Sequence, residues 1–285
     1  MDNKLQLPMY LQVKERFEAA KKISPTNWQN LFRIENLLIR NILSEFFATG
    51  FLRFIGTGAS ICYVIGLYNY FQMNFVWGMG VVMAIFLAWN TSGSLLNPAL
   101  SILSWLCGRV ELVHAFWYCC AQFFGAFVGT ALCYSVHYEA IRNFTAGVFS
   151  ASGKNISTGV MFASFPAEHV SNFGAFADIV TGTALLAIFV TFFNEKKNNI
   201  ALSVQPVLYG MVCTAISNSY GLNTGAAINP ALDFSARIFA ASIGYGTDMF
   251  IYHNYYFWIP IVAPFFGALI GCACYQIFIG YHLTE

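Results

Sequence analysis

Ser92-Gly93-Ser94-Leu95-Leu96-Asn97-Pro98-Ala99-Leu100 recurs as Thr224-Gly225-Ala226-Ala227-Ile228-Asn229-Pro230-Ala231-Leu232, each residue displaced by 132. Both copies read hydroxyl-Gly-x-x-aliphatic-Asn-Pro-Ala-Leu. Asn is a preferred helix N-cap, because its side chain satisfies an orphan amide of the first turn. Pro suits the first helical position, where its fixed φ fits and its missing N–H costs nothing. Each Asn-Pro-Ala therefore predicts a helix start beside strongly apolar sequence. Two short helices opening inside a membrane, at corresponding places of two halves, point to a solute pathway between the repeats.

The composition agrees. Of 285 residues, 58% are hydrophobic and only 9% charged, with 29 Phe and a mean hydropathy of +0.59. Soluble domains carry about a quarter charged residues, so most of this surface faces lipid rather than water. A net charge of +1 predicts neither nucleic-acid binding nor an acidic partner. All eight cysteines lie in apolar segments, where they act as small hydrophobes. Their spacing matches no zinc site, and no disulfide framework is expected.

Six segments are apolar over about the 20 residues a bilayer-crossing helix needs. They run roughly over Leu43–Leu67, Phe71–Trp89, Val113–Tyr134, Phe173–Phe193, Ile200–Ile216 and Trp258–Tyr281. The two Asn-Pro-Ala segments, ending near Gly108 and Gly244, are too short to span and read as re-entrant half-helices. The third span carries Phe123-Phe124-Gly125-Ala126 and Gly129; the sixth carries Phe265-Phe266-Gly267-Ala268 and Gly271. Gly-x-x-x-Gly lets helices approach closely in lipid. Three spans and a half-helix, repeated once, make an inverted repeat, because an odd number of crossings turns the second copy over. The fold class is all-α and polytopic. Its two half-helices meet N-terminus to N-terminus near the midplane.

Basic residues set the orientation. Lys4, Lys14, Arg16, Lys21, Lys22, Arg33 and Arg40 precede the first span, Arg109 follows the first half-helix, and Lys196 and Lys197 follow the fourth span. All fall on one side, which places both termini in the cytoplasm. The long Ser135–Asn172 connection falls on the other, with acceptor sequons at Asn143 and Asn155. These favour the secretory route; the plasma membrane is the expected address, although no residue pattern separates it from an internal membrane. A third sequon, at Asn90, lies within the membrane. Residues 1–40 and 283–285 read as tails. Residues 41–282 form the channel domain, with halves of about 41–137 and 172–282.

Over about residues 40–282 the chain resembles the major intrinsic proteins, or aquaporins, and within them the aquaglyceroporins. The resemblance rests on both Asn-Pro-Ala motifs, the run Trp77–Ile85, Phe176-Ala177-Asp178 opening the fourth span, and Asp233 and Arg237 after the second motif. It implies a passive channel for small neutral solutes, chiefly glycerol and water, as a homotetramer with one pore per subunit. In such channels facing half-helix dipoles and the Asn amides repel cations while neutral hydroxylated solutes pass. A pore for urea, larger polyols or gases, and a closed adhesive scaffold, are the alternatives. An enzyme is not expected, since no nucleophile and base share a span; nor is a cofactor or metal.

The resemblance also implies a filter at Trp77, Ser217, Ala226 and Leu232. The family's Arg directly after the second Asn-Pro-Ala is Leu232 here, and its frequent aromatic is Ala226. The expected filter is wide, apolar on three sides and weakly polar at Ser217. Structural support is expected from Asp233, Arg237 and Glu45, the last accepting backbone amides behind the first motif. Aligning Thr49 with Thr183 sets Ile179 opposite Glu45 and Asp178 one place away, so a second carboxylate is either missing or displaced. Arg53 has no counterpart in the family pattern. It pairs with Asp178 or another acid, or it reaches the pore in place of the absent cation. His114, His137, His169, His253 and His282 read as interfacial or loop residues.

Overall fold

The computed structural model describes residues 32–150 and 158–284. The proposed N-terminal tail up to residue 31 and the Asn155 sequon lie outside the described residues. The chain divides into a unit ending at Arg40 and a larger one, Asn41–Glu285. In the described part of the first, Arg33 pairs with Glu35 at 2.8 Å, and the Asn36 side chain accepts the Ile39 amide at 3.1 Å.

The long helices are α1 (Leu37–Ile65), α2 (Tyr70–Ala88), α4 (Leu112–Thr145), α5 (Asn172–Asn194), α6 (Gln205–Thr224) and α9 (Ile259–Phe278). Half-helices α3 (Pro98–Leu106) and α7 (Pro230–Ala240) complete the two repeats, and a short α8 (Asp248–Tyr255) follows α7. No strand occurs among the described residues. Among the described residues, five helical stretches are long and apolar enough to cross a membrane. The remaining long helix, α6, carries Ser217, Asn218, Ser219 and Asn223 in its second half.

Helix α1 shows how lipid reverses the usual amphipathic pattern. Its buried face is polar, with Asn41, Glu45, Thr49, Arg53 and Thr57 at every fourth position and Ser60 beyond. Outward it shows Leu43 and Phe47. Elsewhere the lipid-facing rings are barer still, Phe124 being 70% exposed and Phe173 83%. Apolar groups gain nothing from hiding where the solvent is hydrocarbon, whereas polar groups must find partners inside.

Local chemistry moved several boundaries away from the apolar runs. The α2 helix starts at Tyr70 because Asn69 and Gln72 form a capping box, with bonds of 2.8 and 2.9 Å. Pro206 sits in the first turn of α6, and Gly225 ends it in the left-handed region at φ 73°. The fifth span therefore starts five residues and ends eight residues C-terminal to the Ile200–Ile216 expectation. Helix α4 runs past Tyr134 to Thr145, sustained by an Arg142–Tyr138 hydrogen bond of 2.7 Å. The connection expected from Ser135 thus begins only at Ala146.

Both Gly-x-x-x-Gly pairs are used alike. A Cβ on Gly125 would lie 2.1 Å from the Phe46 carbonyl oxygen, and one on Gly129 2.1 Å from that of Gly50. In the second half, Gly267 and Gly271 meet the carbonyls of Val180 and Ala184 at 2.5 and 2.1 Å. Val180 and Ala184 stand 134 residues after Phe46 and Gly50, the same displacement that pairs Thr49 with Thr183. The half-helices cross over between repeats: α3 packs on α4 and α9, and α7 on the same two helices.

Candidate pore

Asn97 caps α3 by accepting the Ala99 amide at 3.0 Å. Asn229 caps α7 through the amides of Ala231 and Leu232, at 3.1 and 3.4 Å. Each side-chain nitrogen reaches across to the opposite motif: Asn97 Nδ2 donates to the Ile228 carbonyl at 2.9 Å, and Asn229 Nδ2 to that of Leu96 at 2.8 Å. The half-helix starts are thereby locked face to face. Pro98, Pro230, Ala99 and Ala231 are buried behind them. One amide hydrogen on each Asn remains for another acceptor, and both residues line the central cavity.

That cavity has a volume of about 680 Å³. It is lined from Tyr63, Tyr70 and Leu222 near one face, past both Asn residues, to Arg109 and Asn194 near the other. The walls are mainly apolar, among them Trp77, Val81, Ile85, Leu186 and Val190. Such a passage offers carbon backbones a dry wall, and it offers hydroxyls a few fixed partners.

Glu45 is fully buried and accepts four hydrogen bonds. Oε1 receives Ser92 Oγ at 2.6 Å and the Leu95 amide at 2.9 Å; Oε2 receives the Leu96 amide at 2.8 Å and Gln122 Nε2 at 2.8 Å. Two of these are backbone amides of the loop entering α3. In the second half the carboxylate is displaced and not missing. Asp178 accepts Thr224 Oγ1 at 2.6 Å and Asn223 Nδ2 at 3.1 Å. Thr224 matches Ser92, so each motif's leading hydroxyl donates to an acid even though the acids stand one register apart.

Asp233 and Arg237 form a buried ion pair at 2.5 Å, one turn apart on α7. Asp233 also accepts the backbone and side chain of Ser164, at 2.8 and 2.6 Å. Arg237 donates to the carbonyls of Met249, at 2.7 Å, and Ser164, and it lies 4.8 Å from the centre of the Phe165 ring. Together they fasten the third-to-fourth connection over the end of the cavity. Phe162, Ala163 and Ser164 of that connection line the cavity, which the length of the connection alone did not reveal.

Trp77, Ser217, Ala226 and Leu232 all line this one cavity. The Trp77 ring lies where a Cβ on Gly56 would be, and its Nε1 donates to Ser60 Oγ at 3.1 Å. Tyr70 donates to the Ser217 carbonyl at 3.4 Å. Ala226 has φ 56°, as its counterpart Ser94 has 55°. Arg53 pairs with neither Asp178 nor any other carboxylate among the described residues. Nε donates to Thr130 Oγ1 at 3.1 Å, Nη2 donates to the Phe162 carbonyl, and the guanidinium lies 5.5 Å from the centre of the Trp77 ring.

Among the described residues no group of His, Cys, Asp and Glu could hold a metal. Cys107 and Cys272 approach to 3.9 Å as free thiols. Asn143 is exposed in the last turn of α4, while Thr145 of its sequon is buried.

Comparison with known proteins follows the same geometry. Residues 33–275 match the Major intrinsic protein family. The chain is 35% identical over 256 residues to Aquaporin-9 of Homo sapiens, covering 88% of this chain and 86% of that one. It is 32% identical over 266 residues to human Aquaporin-10, covering 92% and 88%. The X-ray structure of the aquaglyceroporin from Plasmodium falciparum superposes with a TM-score of 0.77 at 27% identity, over 85% of this chain and 97% of that one.

Proposed function

Since the chain belongs to the Major intrinsic protein family, we propose that it conducts glycerol and water passively through the cavity between its two Asn-Pro-Ala segments. The protein is a membrane channel and not an enzyme. One observation carries the choice of route: a single cavity of about 680 Å³ is lined from one face to the other and has both Asn residues on its wall. A closed scaffold has no use for such a passage. The mainly apolar wall favours solutes with a carbon backbone, and the amides of Asn97 and Asn229 receive their hydroxyls.

Trp77, Ser217, Ala226 and Leu232 form the selectivity filter in this reading. Glu45, Asp233 and Arg237 hold the two loops that shape it. Residues 41–282 constitute the channel domain. We assign it to the plasma membrane as a homotetramer, with both termini cytoplasmic. The basic residues before α1 and after α5 support that orientation. Asn143 and Asn155 are the proposed glycosylation sites on the opposite side.

Stopped-flow light scattering on proteoliposomes tests the reading. Glycerol permeability should exceed that of protein-free vesicles at least tenfold, with water also accelerated and urea less so. Vesicles that pass urea while excluding glycerol would overturn it.

A further inference from the structure

Position 232, where the family carries its filter cation, is leucine, yet the cavity wall beside the filter is not without a charge. From the geometry we infer that Arg53, on α1, is the filter cation of this channel. It donates to passing solute oxygens and repels protons and metal cations. The inference rests on the cavity being the solute pathway.

Arg53, Gly56 and Ser60 share one face of α1, at spacings of three and four, and all three meet Trp77. Gly56 lets the indole lie flat against the helix, Ser60 holds the indole nitrogen, and Arg53 stacks on the ring. Thr130 and the Phe162 carbonyl take Nε and Nη2. No hydrogen bond is formed by Nη1 among the described residues, and Arg53 lines the cavity.

Arg53 has no direct ion-pair partner among the described residues, because the nearby carboxylate on the same wall, Asp233, pairs with Arg237. A buried guanidinium without a carboxylate is costly within a membrane and is read first as functional. The planar group is suited to this place, because it stacks on an aromatic face and directs fixed N–H donors edgewise. Ala226 and Leu232 line the same cavity as Arg53 and bring no second cation to it.

The test compares wild type, Arg53→Gln and Arg53→Lys in proteoliposomes. Glycerol and water flux are followed by stopped flow, and proton and sodium leak by pH- and sodium-sensitive dyes under an imposed gradient. Arg53→Gln should raise the leak at least tenfold while still passing glycerol. Arg53→Lys, which keeps the charge, should hold it within about threefold of wild type. If Arg53→Gln is not recovered folded, Arg53→Met is the second neutral variant. A neutral variant that conducts glycerol with wild-type ion exclusion overturns the inference, as does an equal leak in Arg53→Lys. If wild type passes neither glycerol nor water, the pathway itself is wrong, a result distinct from failure at Arg53 alone.

Discussion

Gln122 donates its amide to Glu45 at 2.8 Å between α4 and α1, and the corresponding residues of the second half are Pro264 and Ile179. The repeat has exchanged a buried polar pair for an apolar one, both members together. Either solution avoids a lone buried polar group, which the exchange of only one member would leave. At this register only the first half keeps a carboxylate, Glu45, which takes the Leu95 and Leu96 amides of the loop entering α3.

Glu45→Gln should consequently be among the most destabilising substitutions in the chain. The new amide would turn donors toward two of the four donors now satisfied. Hydrogen bonds to a charged acceptor contribute about 1.5–3 kcal/mol each, so a loss of roughly 3 kcal/mol or more is expected. Thermal unfolding in detergent should show it, with Asp178→Asn losing less because only two side-chain donors are at stake. Equal midpoints for the two variants would contradict the assignment.

The close helix contacts give a second prediction. Gly129→Ala and Gly271→Ala each place a methyl 2.1 Å from a backbone carbonyl oxygen, of Gly50 and Ala184. Overpacking of this kind costs about 1–3 kcal/mol. Gly58→Ala meets nothing nearer than the Cys133 sulfur at 3.7 Å. That change should be neutral or stabilise by up to about 1 kcal/mol, the helix preference for Ala over Gly. The three unfolding midpoints, compared in one detergent, decide the matter.

At the filter, Ala226→Phe should reduce glycerol flux more than water flux, because a ring there narrows the passage without closing it to the smaller molecule. The position carries φ 56°, a left-handed conformation whose cost of about 1–2 kcal/mol the alanine Cβ already bears, so any added loss of stability comes from the ring's fit. Paired stopped-flow traces separate the effects: a poor fit alone lowers the yield of folded protein and leaves the glycerol-to-water ratio unchanged. An unchanged ratio would remove residue 226 from the filter.

Glycosylation tests the topology. In a eukaryotic host, N-glycanase should increase the gel mobility of the protein, and the double change Asn143→Gln, Asn155→Gln should abolish the shift. Asn155→Gln alone should remove more of it than Asn143→Gln. Asn143 lies in a helical turn, and the Thr145 hydroxyl of its sequon donates to the Arg142 carbonyl at 3.4 Å. A protein unmodified at both sites would count against placing this connection outside.

Some of this was written in the linear chain. The two Asn-Pro-Ala segments announce their own helix starts, because capping by Asn and Pro is a matter of neighbours in sequence. The glycines of α4 and α9 announce close packing, since only a missing Cβ permits it. Glu45 was equally legible as a buried support, while the full polar stripe of α1 came from the burial of its face. Other features depended on rotations that no local pattern encodes. Asp178 lies one register from the Glu45 equivalent, and only the turn of α5 against the end of α6 brings Thr224 and Asn223 to it. Arg53 could have faced an acid or the pore. The fold chose by setting Gly56 beneath Trp77 and by bringing Phe162, 109 positions along the chain, back over the guanidinium. Capping is settled within a single turn of chain, whereas the surroundings of a buried charge are settled by helices that meet only after the whole bundle has closed.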